Sequence, residues 1–222
     1  MDKFNKSLEN ISRLAQFKFD ISEEQVRVLI SEIASVFSQS CSDFGYDKRQ
    51  ILRITTKMRD AGRRSPPWKP TSSRVPGRPQ DGSDGNRIKR WLMTADHKFY
   101  ANEIDATLVE VKYYLQLLSM DDAPELPENT IQEAFDWLVE HKVEPDCYLD
   151  PIQLIPISLI DVMEDARTIQ SGHLYPLDRG GRHIPQNAFL MLHRSNQLQG
   201  NLTLDELVTL MNEIVKRHSE KR

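Results

Sequence analysis

The chain has 222 residues, a formal net charge of -4 and 39% hydrophobic residues, so it can bury a core and does not have the composition of a wholly disordered chain. It has no run of about 18 apolar residues that would cross a membrane and no apolar stretch after Met1 of the secretion-signal kind. Its two cysteines, Cys41 and Cys147, are too few for a disulfide framework or a four-cysteine zinc site, so a reducing, cytoplasmic setting is expected.

The first 60 residues read as helical. Leu8, Ile11, Leu14 and Ala15 fall at helical spacing, as do Val26, Leu29, Ile30, Ile33, Val36 and Phe37, each set forming one apolar face. Ser22 followed by Glu23 and Glu24 places a capping oxygen and negative charge at a helix start. A third helix is expected from about Asp47 to Asp60, bearing Lys48, Arg49, Arg53, Lys57 and Arg59.

Charge is distributed unevenly along the chain. Residues 48–90 carry 13 Lys and Arg against 3 Asp and Glu, whereas residues 91–222 carry 11 against 22. A strongly basic segment inside an acidic chain points to an anionic partner, and nucleic acid is the obvious one, because each neutralised phosphate releases counterions. A solvated linker is the bland alternative. Within this segment residues 61–86 contain five prolines and four glycines and show no apolar period, as in a loop or an arm that orders on binding. Arg63, Arg64, Lys69, Arg74 and Arg78 are its candidate DNA contacts. Trp68 offers either a stacking surface or a buried anchor.

Order is expected to return at Arg87. A helix over 103–119 would place Ile104, Leu108, Val111, Leu115 and Leu118 on one side, and a further helix, with Glu128 or Asn129 near its start, would carry Ile131, Ala134, Phe135, Leu138 and Val139. Pro145, Pro151 and Pro156 then interrupt the chain.

Residues 169–206 are the informative stretch. Ile169 to Leu174 reads as a short strand, Asp178-Arg179-Gly180-Gly181 as a turn, and Ala188 to Leu192 as a second strand, which together make a hairpin with a long connection. A polar helix start follows, with Arg194, Ser195, Asn196, Gln197 and Gln199. His173 would end the first strand and Asn196 would stand just after the second, where the two can face each other across a metal. Thr203 to Glu206 is a capping box, so Glu206 is expected to be structural. The last helix, from about Leu204 to Arg217, is expected to pack Leu207, Val208, Leu210, Met211, Ile214 and Val215 against the hairpin.

This stretch resembles the HNH (ββα-metal, His-Me finger) endonuclease motif, in which a His closes the first strand, an Asn lies in the hairpin connection and a His or Asn opens the helix. Here those positions are His173, Asn187 and Asn196, at offsets of +14 and +23 from the His. The Gly180-Gly181 pair, the apolar strand before the third position and Gly200 after it also match. The resemblance covers about 35 to 45 residues. It implies His173 as the general base, Asn187 as the residue that fixes the loop and orients His173, and Asn196 as ligand to a divalent metal, magnesium or alternatively manganese. Arg182 and Arg194 lie near this motif and are further candidate phosphate contacts. Two features depart from the pattern. Gly172 stands where many relatives carry a metal-ligating Asp or His, leaving Asp165, Asp178, His183 and His193 as spare candidates, and the cysteine pairs that often staple the motif with zinc are missing.

The expected fold class is therefore α+β: a helical region (1–60), a basic arm (61–90), a second helical region (91–150) and a C-terminal ββα-metal nuclease domain (151–222). The expected activity is hydrolysis of phosphodiester bonds in double-stranded DNA. A type II restriction endonuclease is the leading form, with a homodimer for two-strand cutting and a cognate DNA methyltransferase encoded nearby. A phage or mobile-element nuclease, a toxin domain, and a non-catalytic DNA-binding protein with a degenerate HNH fold are the alternatives.

Overall fold

The computed structural model describes residues 3–65, 87–126 and 131–221. Lys69, Arg74, Arg78 and Trp68 of the basic arm, and the expected helix start at Glu128 or Asn129, lie outside the described residues.

Three helices open the chain: α1 (Lys3–Ala15), α2 (Glu23–Phe44) and α3 (Lys48–Arg63). Ser22 caps α2 by accepting from the Gln25 N–H while the Gln25 side chain returns to the Ser22 N–H, and Asp47 and Gln50 do the same for α3. Such caps satisfy otherwise unpaired backbone donors, each for about 1 kcal/mol. Gly45, in the left-handed region, stops α2. Every apolar position expected on α1 and α2 is buried. α3 runs three residues further than expected, to Arg63.

The centre of the molecule is α4 (Glu103–Leu117), capped by Asn102. Its sequence reads as one-sided, yet all residues from Ala106 to Leu117 are buried. The reason is that α2 and α3 pack on one side of it and the later hairpin on the other. The polar residues that face the hairpin and α3 find distant partners. Glu110 pairs with Arg63, Lys112 Nζ donates to the Pro185 carbonyl at 2.7 Å, and Gln116 Oε1 accepts from the Leu190 N–H at 3.0 Å.

The expected helix around residues 131–139 is not formed as such. The described part, 131–135, is turn, and only Asp136–Val139 is helical (α5). Ile131, Phe135, Leu138 and Val139 are still buried, but the Gln132 carbonyl bonds the Val143 N–H instead of the residue four further on. The apolar spacing is thus met by a bent chain. A short helix, α6 (Leu159–Glu164), follows. Basic residues of α3 hold its end: Arg53 donates to the Met163 and Glu164 carbonyls, and Lys57 donates to those of Ala166 and Ile169.

β1 (Ile169–His173) and β2 (Ala188–Leu192) form an antiparallel hairpin with Ile169 opposite Leu192 and His173 opposite Ala188. α7 (His193–Gln199) starts at the next residue, and α8 (Leu204–Ser219) begins behind its Thr203–Glu206 capping box. The class is α+β, mostly helical with a two-stranded sheet among the described residues. One hydrophobic core runs from Leu8 through α4 to Leu190. No helix among the described residues is long and apolar enough to cross a membrane.

The last helix departs from its expected packing. Leu207 is its one buried residue, whereas Val208, Leu210, Met211, Ile214 and Val215 are between 41% and 64% exposed. α8 touches α7, and these side chains are left in solvent.

Candidate active site

Side chains alternate between the two faces of a strand, and this parity divides the residues of the hairpin. Ser171 and His173 point toward α4, and Ser171 Oγ lies 2.6 Å from the Tyr113 hydroxyl. Gln170 and Gly172 point to the other face, which α7 covers.

On the α4 side, His173 Nε2 lies 2.9 Å from His183 Nδ1, and His183 Nε2 lies 2.7 Å from the Gly62 carbonyl. A carbonyl only accepts, so His183 carries its proton on Nε2 and its Nδ1 is a lone pair. His173 therefore donates from Nε2, and its own Nδ1 is the free acceptor. Burial pushes the His173 imidazole down to about 3, with the nearby Arg90 charge adding to the effect. His183, fully buried, is driven well below the usual range by burial, then by Arg90 and His173. Both rings are neutral near pH 7.

The end of this relay is fixed by helix packing. A Cβ on Gly62 would meet Glu110 Cβ at 2.6 Å and Glu110 Cα at 2.9 Å, so only glycine lets α3 approach α4 this closely. The Gly62 carbonyl also accepts from Arg90 Nε at 3.1 Å, and the Arg90 guanidinium reaches the Phe99 and Ala61 carbonyls.

His173 opens onto a cavity of about 270 Å³ walled by Asp60, Arg64, Arg87, Arg90, Phe99 and Leu177, among others. Asp60 is a lining carboxylate, 3.7 Å from Arg64 and 3.5 Å from Arg87. These separations exceed those of charge-assisted hydrogen bonds, about 2.7–2.9 Å, so the guanidiniums keep donor capacity for an anion. Arg64 and Arg87 against the single Asp60 carboxylate leave the cavity with donors for an anion.

Asn187 braces the hairpin connection. Its Oδ1 accepts from the Tyr175 N–H at 2.7 Å, and its Nδ2 donates to the Tyr175 and Arg182 carbonyls, each at 2.9 Å. From α7, Gln199 Nε2 donates to the carbonyls of His173, Leu174 and Leu202, which holds the strand end that bears the imidazole. The buried Asp150 locks β2 to α7 by accepting from the Leu192 N–H (2.8 Å) and Ser195 Oγ (2.8 Å), and from the N–H groups of Ile152 and Gln153. Carboxylate and amide hydrogen bonds thus tie the joint together. Sequence reasoning missed Asp150, Gln199 and Arg90 in these roles; the Asp150-Pro151 pair is the faint signal for the first.

The structure does not bring Asn196 to His173. Asn196 stands on the α7 side of β1, where its Nδ2 donates to Gln170 Oε1 at 2.6 Å and its Oδ1 faces Gly172. The space over Gly172 is filled: a Cβ there would meet Met191 Cε at 2.4 Å and Sδ at 2.5 Å, with Asn196 Oδ1 at 3.3 Å. The spare ligands are also engaged elsewhere. Asp165 pairs with Arg167, Asp178 with Lys98, and His193 contacts Gln170. Among the described residues no three His, Cys, Asp or Glu side chains group as a metal site. A divalent ion prefers several hard oxygens, and one Asn oxygen beside a thioether, across the sheet from the imidazole, does not fit it.

The expected phosphate contacts also separate. Arg64 lines the cavity, and Arg182 and Arg194 are exposed. Arg63 turns inward to the buried Glu110 and is not free for DNA. Arg53, Lys57 and Arg90 likewise serve internal carbonyls.

No family model matches the chain, and no curated protein matches it. Among solved structures the chain is similar to one described as a type II restriction endonuclease, at 20% identity, over 55% of this chain and 55% of that one, with a TM-score of 0.47. The likeness thus spans about half the length of that structure.

Proposed function

We propose that the chain is an endonuclease that hydrolyses phosphodiester bonds in DNA, with His173 as the base. The observation that carries this reading is the directed relay from His173 through His183 to the Gly62 carbonyl. It leaves a lone pair on His173 Nδ1 at the wall of a cavity bearing Arg64, Arg87 and Arg90. In this reading a phosphate seated by Arg64 and Arg87 offers its phosphorus to a water that hydrogen-bonds His173 Nδ1. As the water oxygen bonds to phosphorus, its proton passes to Nδ1. The P–O bond to the leaving sugar oxygen breaks, and that oxygen takes a proton from solvent. The arginines stabilise the negative charge that grows on the phosphate. The lowered pKa of His173 keeps the lone pair free, and a bound phosphate raises its basicity by restoring negative charge beside it.

The hairpin followed at once by α7, with Asn187 bracing its connection, supports the HNH resemblance. The basic stretch through Arg87 and Arg90 supports a nucleic-acid substrate. Restriction activity, with a companion methyltransferase, is the form of this reading that discrete fragments from a long DNA would support.

Plasmid nicking by the purified chain tests the reading, run with magnesium, with manganese and in excess EDTA. The expected result is cutting that His173→Ala abolishes while duplex binding persists. Equal behaviour of wild type and His173→Ala overturns it. The separation of Asn196 from His173 favours a second reading, a DNA-binding protein that retains the fold without cutting, and binding without nicking under every cation condition would support that one.

A further inference from the structure

We propose, resting on the endonuclease reading, that Ser171 is a further catalytic residue of this site, the hydrogen-bond donor to the leaving sugar oxygen, aimed by the buried Tyr113. Ser171 stands two residues before His173 on β1, on the same face, and both line the same cavity.

Tyr113 fixes which way the serine hydroxyl points. Its own hydroxyl lies 2.6 Å from Ser171 Oγ, its one hydrogen-bond partner among the described residues. Tyr113 is fully buried in α4, and burial pushes its phenol up to about 12, so it stays protonated. The pair has two arrangements. If Ser171 donated to Tyr113, the phenolic hydrogen would be left in the core without an acceptor, at its full desolvation cost. If Tyr113 donates, the phenol is satisfied and the serine hydrogen is free to turn into the cavity, where water or an anion accepts it. The second arrangement is the stable one. Tyr113 is thus a positioning residue, and the cavity wall carries an acceptor at His173 Nδ1 and a donor at Ser171 Oγ.

Spacing assigns these two groups to opposite sides of the phosphorus. Residues i and i+2 of a strand stand about 6.5 Å apart on one face, and phosphoryl transfer holds its attacking and leaving oxygens roughly in line. A phosphate that meets His173 Nδ1 through the attacking water and lies along β1 turns its leaving side toward Ser171. The electron pair of the breaking P–O bond collects on the sugar oxygen, and the Ser171 O–H donates a hydrogen bond to it there. The proton that completes the sugar hydroxyl still comes from solvent.

The test compares two phosphodiesters: supercoiled plasmid, whose leaving group is a basic sugar oxygen, and bis(p-nitrophenyl) phosphate, whose nitrophenolate leaves without a donor. Ser171→Ala should lower plasmid nicking about 100-fold and hydrolysis of the small diester less than about threefold. His173→Ala should lower both. Tyr113→Phe keeps the serine but not its aim, and should lower nicking about tenfold with plasmid affinity unchanged. Ser171→Ala with Tyr113→Phe removes both partners of the buried bond, so no polar group is orphaned. That double variant should melt with wild type and nick no faster than Ser171→Ala. Equal loss on the two substrates in Ser171→Ala, or full nicking by the double variant, makes the pair structural and overturns the assignment while His173 stands as the base. A wild-type chain that cleaves neither diester overturns the endonuclease reading, and the assignment with it.

Discussion

His173 and His183 share a single proton position: Nε2–H of the first points at Nδ1 of the second, 2.9 Å away. Because His183 Nε2–H is already held by the Gly62 carbonyl, the pair has one direction. It makes the free lone pair of His173 a product of helix packing between α3 and α4, since that packing sets where the Gly62 carbonyl lies.

His183 is thereby a positioning residue. His183→Phe keeps a ring in the buried site but offers His173 no acceptor and leaves the Gly62 carbonyl with Arg90 Nε as its remaining donor. The expected loss of stability is about 1–3 kcal/mol from unpaired buried groups. Nicking should fall toward the level of His173→Ala while duplex binding, measured by anisotropy, stays unchanged. Full nicking activity in His183→Phe would mean that His173 is oriented without it.

The same pair makes stability depend on pH. In the unfolded chain each imidazole takes a proton near about 6.5. In the folded chain burial holds His173 down to about 3 and His183 well below its ordinary range. Between those limits the unfolded state binds more protons, so stability is complete above about 6.5 and is lost as pH falls through the window. The melting temperature of wild type should drop from pH 7 to pH 4, and that of His183→Phe should drop less steeply. Parallel slopes would remove His183 from this linkage.

What the sequence made legible follows local rules. The caps at Ser22 and Thr203, the faces of α1 and α2, and the bounds of β2 depend on neighbours within a few residues. The polar residues of α4 were opaque because their partners are far along the chain: Lys112 reaches Pro185, and Gln116 reaches Leu190. Without those partners α4 reads as a one-sided helix. The His173–Asn196 spacing was legible too, and so was strand parity, but no spacing states which face of β1 the following helix will cover. α7 covers the Gly172 face, and that choice separates Asn196 from the imidazole.

Asp150 should prove the residue on which the β2–α7 joint depends. Its Oδ1 accepts from Ser195 Oγ and the Ile152 and Gln153 N–H groups, and its Oδ2 accepts from the Leu192 N–H. Asp150→Asn keeps the first set but turns an NH₂ toward the Leu192 N–H, donor against donor. The expected cost is on the order of 2–3 kcal/mol, read as a lower urea midpoint. Faster hydrogen exchange at Leu192 should accompany it, with α1 and α2 unaffected. An unchanged midpoint would show that packing alone holds the joint.

Arg63 and Arg64 are adjacent in sequence and should behave oppositely. Arg63 is tied to Glu110, which is 2% exposed in its side chain, whereas Arg64 lines the cavity and meets Asp60 only at 3.7 Å. Removing the partner of a buried carboxylate leaves an uncompensated charge, so Arg63→Gln should cost about 3 kcal/mol of stability. Burial already pushes the Glu110 carboxyl up, with Arg63 opposing it, so this loss should shrink at low pH as Glu110 takes a proton. Its effect on the salt dependence of DNA binding should be nil once the protein is folded. Arg64→Gln should leave the melting temperature within about 1 °C. It should weaken DNA binding and lower the slope of log K against log salt by about 1. If Arg63→Gln changes the salt slope and Arg64→Gln does not, the cavity is not where the phosphate binds.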